Sequence, residues 1–162
     1  MTGAFWFWKT AHIISATLLL GGGAAIGFFC WFGYRNAMKT GEIASLRAVL
    51  RLTVIADACL TAPAVVFQAL SGIVLMNLLG WPMASAWSIA AWGLFVFVGL
   101  CWLPVVAIQN MVGREARRAS SVEELPARFH RWFGWWFALG VPAFTAVVLL
   151  VYLMVAKPLS LT

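Results

Sequence analysis

Long, continuous apolar stretches alternate with short polar segments along this chain. Apolar residues dominate four stretches, at about Phe5–Tyr34, Leu52–Leu79, Trp87–Met111 and Trp132–Ala156. A helix needs about 20 mostly apolar residues to cross the hydrocarbon layer of a bilayer, and all four stretches are long enough. The runs are continuous and lack the ten-residue alternation of barrel strands. The pattern therefore predicts an all-α integral membrane protein, built as an antiparallel bundle of four transmembrane helices.

The composition points to the same class of protein. Hydrophobic residues make up 64% of the chain and charged residues 10%. Soluble domains carry about 25% charged residues, so this chain cannot cover a soluble globule with polar side chains. A soluble enzyme, a secreted disulfide scaffold and a disordered tail are excluded. The connections between the stretches are short, which predicts one four-span domain over residues 1–162.

Basic residues are concentrated in the first and third connections. Nine of the eleven Lys and Arg residues lie there: Arg35, Lys39, Arg47, Arg51, Arg114, Arg117, Arg118, Arg128 and Arg131. The second connection, 77–86, carries no charge. The positive-inside rule then predicts cytoplasmic basic connections, with both termini outside. Basic loops beside a membrane favour anionic lipid over nucleic acid as a partner. The sequence does not decide whether the protein forms a homo-oligomer or joins a larger membrane complex.

One face of the second stretch carries small and polar residues. At helical spacing it holds Asp57, Thr61, Ala64, Gln68 and Ser71, within about 40° of one direction. We expect this stripe to face the bundle interior, where it lines either a tight helix seam or a cavity. For Asp57 we expect either a functional carboxylate, able to carry a proton, or an ion pair with an arginine at the same membrane face, such as Arg131.

A histidine lies within the first stretch. The helical face of His12 continues through Gly23 and Gly27, which carry no side-chain bulk. Close packing of a neighbouring helix explains such a face, with His12 as a hydrogen-bonded structural group. Alternatively, a flat ligand lies on the glycine-rich face, with His12 as an axial ligand of a b-type haem. In that case Gly23, Thr61 and Gln68 line the pocket.

The two histidines of the chain are expected at opposite membrane faces. His12 lies near the outer end of its span, whereas His130 immediately precedes the fourth stretch at the cytoplasmic face. About 30 Å of hydrocarbon separates these positions, so the two cannot bind one haem. A second haem ligand on the outer side would come from Met76, Met83 or Met154. We expect His130 to lie with its neighbouring arginines or to pair with Asp57.

The chain resembles a known family in all four stretches. The segment Trp8-Lys9-Thr10-Ala11-His12-Ile13-Ile14 is similar to the opening of a bacterial family of four-span membrane proteins of unknown function. Further matching segments are Leu60-Thr61-Ala62-Pro63-Ala64, Trp102-Leu103-Pro104 and Leu139-Gly140-Val141-Pro142. That family is grouped with CopD-like copper-resistance domains and with HemJ, the membrane protoporphyrinogen oxidase. The resemblance implies a bacterial inner-membrane location and haem b binding by His12. Residues 28–34 do not match the Leu-Pro-Arg-type motif of HemJ. We therefore do not expect this chain to oxidise protoporphyrinogen.

The sequence leaves three functions open. The first is a small membrane protein of redox or haem-related chemistry that binds b-type haem through His12. The second is a non-catalytic subunit or assembly factor of a larger membrane complex, in which the polar seam only packs helices. The third is a small transporter with Asp57 and Gln68 on a polar path. The sequence has no Ser–His–Asp set and no phosphate-binding loop, and it assigns no catalytic residue.

Overall fold

Five α-helices and one π-helical turn form the protein in this computed structural model, which describes residues 3–157. The α-helices are α1 (Gly3–Thr40), α2 (Ile43–Ala56), α3 (Ala62–Leu79), α4 (Ala86–Arg118) and α5 (Ala127–Ala156). The π-turn, Asp57–Thr61, joins α2 to α3 in one helical segment of 37 residues. No strand occurs within residues 3–157. Residues 1, 2 and 158–162 of the predicted domain lie outside the described residues.

Four helical segments are long and apolar enough to cross a membrane. They are Gly3–Thr40, Ile43–Leu79, Ala86–Arg118 and Ala127–Ala156. They contain the four stretches predicted from the sequence, so the predicted all-α, four-helix membrane architecture is confirmed. Large apolar side chains cover their outer surface, and Phe7, Phe29 and Val155 are 66%, 66% and 80% exposed. Such a surface suits lipid rather than water.

The helices extend beyond the apolar stretches on the side that carries most of the basic residues. α1 continues past Tyr34 to Thr40, and α2 begins at Ile43, so their connection contains only Gly41 and Glu42. Gly41 has a φ of 75°, the left-handed conformation that commonly ends a helix. We call the side with the α1–α2 and α4–α5 connections the basic end. The other side, with the α3–α4 connection, is the opposite end.

Most of the buried core lies towards the basic end. Its fully or nearly buried members include Ala37, Leu46, Leu50, Val112, Ala116, Val122, Leu125 and Phe129. There α1 packs against α2 and α5, and α2 and α5 pack against α4. Towards the opposite end α3 packs against α1 and makes no comparable packing with α4 or α5. The second span therefore changes its neighbours along its length, from α4 near the basic end to α1 alone further on.

The connection at the opposite end is a compact aromatic turn. Gly80, in the left-handed conformation with a φ of 61°, ends α3. The indole N–H of Trp81 donates to the Ser85 hydroxyl at 3.0 Å, and Ser85 caps α4 by accepting from the backbone N–H of Ser88. The Trp87 indole then donates to the backbone carbonyl of Leu153, which fastens α4 to α5.

Candidate functional site

The π-turn divides the polar stripe of the second span into two faces. A π-helix closes i to i+5 bonds, as between the backbone N–H of Ala62 and the carbonyl of Asp57. This wide turn holds one residue more than an α-helical turn, which rotates the following residues by about 100°. Asp57 consequently faces α4, whereas Gln68 and Ser71 face α1. The prediction of one continuous polar face was wrong, because it assumed 3.6 residues per turn throughout.

His12 is held by two side chains of α3. Its Nδ1 lies 2.7 Å from the Ser71 hydroxyl, and its Nε2 lies 2.8 Å from the Gln68 amide nitrogen. Ser71 is fully buried, while His12 and Gln68 are partly buried. The structure thus brings together two of the residues predicted to bind a cofactor, His12 and Gln68, and adds Ser71.

The bond from the Ser71 hydroxyl to the Phe67 carbonyl, at 2.6 Å, favours one tautomer of His12. A serine hydroxyl has a single hydrogen, so a Ser71 that donates to Phe67 accepts from Nδ1. In that tautomer Nδ1 carries the ring proton, and the Nε2 lone pair accepts from the Gln68 amide nitrogen. A histidine that donates from one ring nitrogen keeps the lone pair of its other nitrogen available as a metal ligand or a base.

The surroundings of the His12 ring include Gly72 and a second polar contact between α1 and α3. A β-carbon added to Gly72 would lie 3.5 Å from His12 Cε1, at ordinary van der Waals contact, so Gly72 faces the ring edge. One turn further along α1, the buried Ser15 hydroxyl donates to the Ala64 carbonyl at 3.1 Å. Gln68 Oε1 is buried and has no hydrogen-bond partner. An unpaired buried carbonyl oxygen is unfavourable by about 1–3 kcal/mol, which marks this amide as the least satisfied part of the site.

A second polar contact joins the π-turn to α4. Gln109 donates its side-chain amide to the Asp57 carboxylate at 2.6 Å, and both residues are buried. An ion pair with an arginine was one of the two alternatives expected for Asp57, and it does not form within residues 3–157. Arg131 is exposed, and the one salt bridge among these residues joins Arg128 to Glu115. The Asp57 carboxylate instead faces Gln109 inside the bundle, away from the arginines at the surface.

No hydrogen bond joins the remaining predicted pocket residues to His12 within residues 3–157. Gly23 is eleven residues along α1, about 16 Å at 1.5 Å per residue, and a β-carbon there would lie 3.8 Å from Phe144 of α5. Thr61 ends the π-turn, seven residues before Gln68 on the second span. Met154 is 37% exposed near the end of α5. Of the five residues predicted for the pocket, the structure joins His12 and Gln68 directly.

The second histidine bonds a tyrosine of α1. The Tyr34 hydroxyl and His130 Nδ1 lie 2.8 Å apart, and the pairing with Asp57, one of two alternatives expected for His130, does not occur within residues 3–157. Tyr34 is 22 residues from His12 on the same continuous helix, about 33 Å away along its axis. The two histidines thus lie at opposite ends of the bundle, and one haem cannot join them.

Two partners in these contacts were not predicted from the sequence. Gln109 was not among the predicted site residues, although an amide within an apolar stretch is itself a signal of a buried partner. Ser71 was predicted as part of the polar stripe, at a helix seam or a cavity, and not as a partner of His12. Its hydroxyl bonds the Phe67 carbonyl of its own helix and also lies 2.7 Å from His12 Nδ1.

Residues 7–158 match a family described as predicted integral membrane protein (DUF2269). This chain belongs to that family. The match covers all four helical spans and both polar contacts described above. No curated protein and no solved structure matches the chain. The family description agrees with the four candidate spans and carries no activity, so function has to be argued from the site.

Proposed function

We propose that the chain is a small membrane protein that binds a b-type haem through Nε2 of His12. The observation that carries this proposal is the hydrogen bond between His12 Nδ1 and Ser71, which directs the Nε2 lone pair away from the serine. Histidines that bind metals typically donate their other ring nitrogen to such a partner, which orients the ring and makes it a stronger ligand. The resemblance of residues 8–14 to HemJ supports the same residue.

A single side-chain rotation would open the Nε2 position of His12 to a bound group. The terminal amide of Gln68, a side chain with three rotatable torsions, lies 2.8 Å from Nε2. Because the Oε1 atom of Gln68 has no hydrogen-bond partner, rotating this side chain breaks only the bond to His12. The rotation also moves Oε1 out of a position in which it is unpaired. A b-type haem supplies reversible one-electron chemistry. Ser71 would keep the proton on Nδ1 throughout, so that His12 does not exchange protons at that atom.

The absorption spectrum of the purified protein tests the proposal. After expression with excess haem precursor, the wild-type protein in detergent should show a Soret band, and His12→Gly should lose it. External imidazole should restore the band in His12→Gly, which separates loss of the ligand from loss of the fold. His130→Ala is the matched control and should retain the band. A wild-type protein without the band overturns the proposal and favours a non-catalytic subunit with a structural His12.

We also infer that the basic end faces the cytoplasm. Both connections that carry the basic residues lie at this end of the bundle, so the positive-inside rule applies to them together. A cysteine introduced at exposed Ser120 tests the orientation. An impermeant maleimide should label it only in inverted vesicles. Labelling from the outside of intact cells would reverse the assignment.

A further inference from the structure

A shallow recess of about 360 Å³ lies on α1 near the basic end. It is lined by Trp31, Tyr34, Arg35, Met38 and Lys39. The aromatic and methionine side chains give it an apolar floor, and the arginine and lysine supply two positive charges. The Tyr34 hydroxyl is bonded to His130 of α5, so the neighbouring helix fixes one wall. The recess therefore combines an apolar surface with exposed cationic side chains.

The two charges of the recess are available to an external anion. The guanidinium of Arg35 lies 5.9 Å from the ring centroid of Trp31, and Lys39 is one helical turn further along α1. Both side chains are exposed. Neither belongs to a salt bridge within residues 3–157. An arginine and a lysine at i and i+4 project from one side of a helix, where a phosphodiester can contact both.

Apolar surface continues from the recess towards the membrane interior. Phe28, Phe29 and Phe32 precede it on α1 and are 58%, 66% and 54% exposed. The rings of Phe28 and Phe32 lie 4.5 Å apart, so they form an exposed aromatic strip on the turns of α1 that precede Arg35. A free phosphate makes no favourable contact with these apolar rings. A molecule with an anionic head and an apolar tail matches both parts.

We propose that this recess binds an anionic phospholipid. Its phosphodiester lies between Arg35 and Lys39, and its acyl chain lies along Trp31, Phe28 and Phe32. The position supports a lipid as the occupant, since the recess begins where the apolar stretch of α1 ends and its basic segment starts. Basic residues at the membrane surface attract anionic lipid headgroups, and the neighbouring aromatic rings supply apolar contact for the lipid tail. This inference is independent of haem binding.

Native mass spectrometry of the protein in neutral detergent tests the lipid site. With equal amounts of phosphatidylglycerol and phosphatidylcholine, the wild-type protein should retain phosphatidylglycerol preferentially. Removing two charges, with Arg35→Gln and Lys39→Gln together, should weaken retention by about tenfold or more. Arg51→Gln with Arg114→Gln is the matched control, because both residues are exposed arginines elsewhere and the same charge is lost. The control should bind phosphatidylglycerol as the wild type does.

Three results would overturn the lipid site. Equal retention of the two lipids would show that the recess does not select charge. Equal loss in the recess variant and the control would show that only net charge matters. Competition by soluble glycerol phosphate as effectively as by phosphatidylglycerol would indicate a phosphate site without a lipid tail. If the double variant does not fold, Lys39→Gln is compared with Arg51→Gln instead. Retention of phosphatidylglycerol should fall in Lys39→Gln and stay at the wild-type level in Arg51→Gln.

Discussion

Gln109 Nε2 of α4 donates to Asp57 Oδ2 at 2.6 Å, and this bond joins α4 to the first residue of the π-turn. Replacing Gln109 with leucine should leave a buried carboxylate without its amide donor. We expect the free energy of unfolding to fall by about 1–3 kcal/mol, because a buried acceptor is then left without a hydrogen-bond donor. Unfolding in mixed micelles with increasing SDS, followed by circular dichroism, measures this loss.

Asp57→Asn is the control for that experiment. The asparagine carbonyl can still accept from Gln109, so this variant should lose less stability than Gln109→Leu. The double variant Gln109→Leu with Asp57→Leu removes both polar groups and should recover stability relative to Gln109→Leu alone. A Gln109→Leu protein as stable as the wild type would contradict a structural role for the bond.

A one-residue deletion tests the π-turn. Deleting exposed Ala58 should convert the π-turn to α-helix and leave the faces of Asp57 and Gln68 directed as before, because the extra residue is removed where it is accommodated. Deleting Ala69, outside the π-turn, should instead rotate Ser71 away from His12. We expect the midpoint of thermal unfolding to change little in the first variant and to fall clearly in the second. Equal losses in both would argue against the π-turn.

The His12 tautomer can be measured directly by ¹⁵N NMR of the histidine rings. Nδ1 should be the protonated nitrogen in the wild-type protein without haem. Ser71→Ala removes the acceptor of that proton, so the population of the Nε2-protonated form should rise at His12 and stay unchanged at His130. Tyr34→Phe is the reverse control, because it affects only the bond at His130. An Nε2-protonated His12 in the wild type would reverse the assigned directions of both bonds.

Close contact between α1 and α2 predicts a sensitive glycine. A β-carbon at Gly33 would lie 2.8 Å from Val49 Cγ2, too close for a branched and stiff side chain to relieve without a backbone shift. Gly33→Ala should therefore destabilise the protein by roughly 1–3 kcal/mol in SDS unfolding. Val49→Ala in the same protein should recover most of that loss.

Gly134→Ala provides the comparison, because a β-carbon there meets nothing within 4 Å. Alanine in a helix is favoured over glycine by roughly 0.5–1 kcal/mol, so this variant should be as stable as the wild type or more stable. If Gly33→Ala and Gly134→Ala change the free energy of unfolding by the same amount, α1 and α2 lie further apart than in this structure.

Arg47 ties α2 to the end of α4. Its Nε donates to the Ala116 carbonyl at 2.8 Å, and its Nη2 donates to the Ala119 carbonyl. Lysine has no second donor held in a planar fork, so Arg47→Lys should loosen the last turn of α4. Hydrogen–deuterium exchange of peptides covering 114–122 should become faster, while exchange in α5 near Phe144 stays unchanged. If Arg47→Lys changes exchange equally in both regions, or in neither, Arg47 does not hold this turn.

The architecture follows from hydropathy, because a helix is the structure that satisfies its own backbone groups in lipid. The four stretches and the separation of the two histidines were predicted on that basis. The division of the polar stripe was not, because no residue type or spacing in DACLT announces a π-turn, and the single extra residue of that turn rotates α3. Gln68 was predicted near His12 under the haem hypothesis. The Ser71 partner of His12 and the Gln109 partner of Asp57 were identified only from the packing of the helices.

The buried cluster at the basic end has a thermodynamic consequence. Leu46, Ala116, Val122 and Leu125 are buried, and all lie outside the stretches predicted to span the bilayer. Within lipid, apolar side chains gain no hydrophobic free energy by packing, because the lipid tails are equally apolar. At the basic end the alternative to burial is water, so unfolding this end should carry a positive heat-capacity change. Cooling should therefore weaken the basic end as it weakens a soluble domain, and leave the lipid-embedded half largely unaffected.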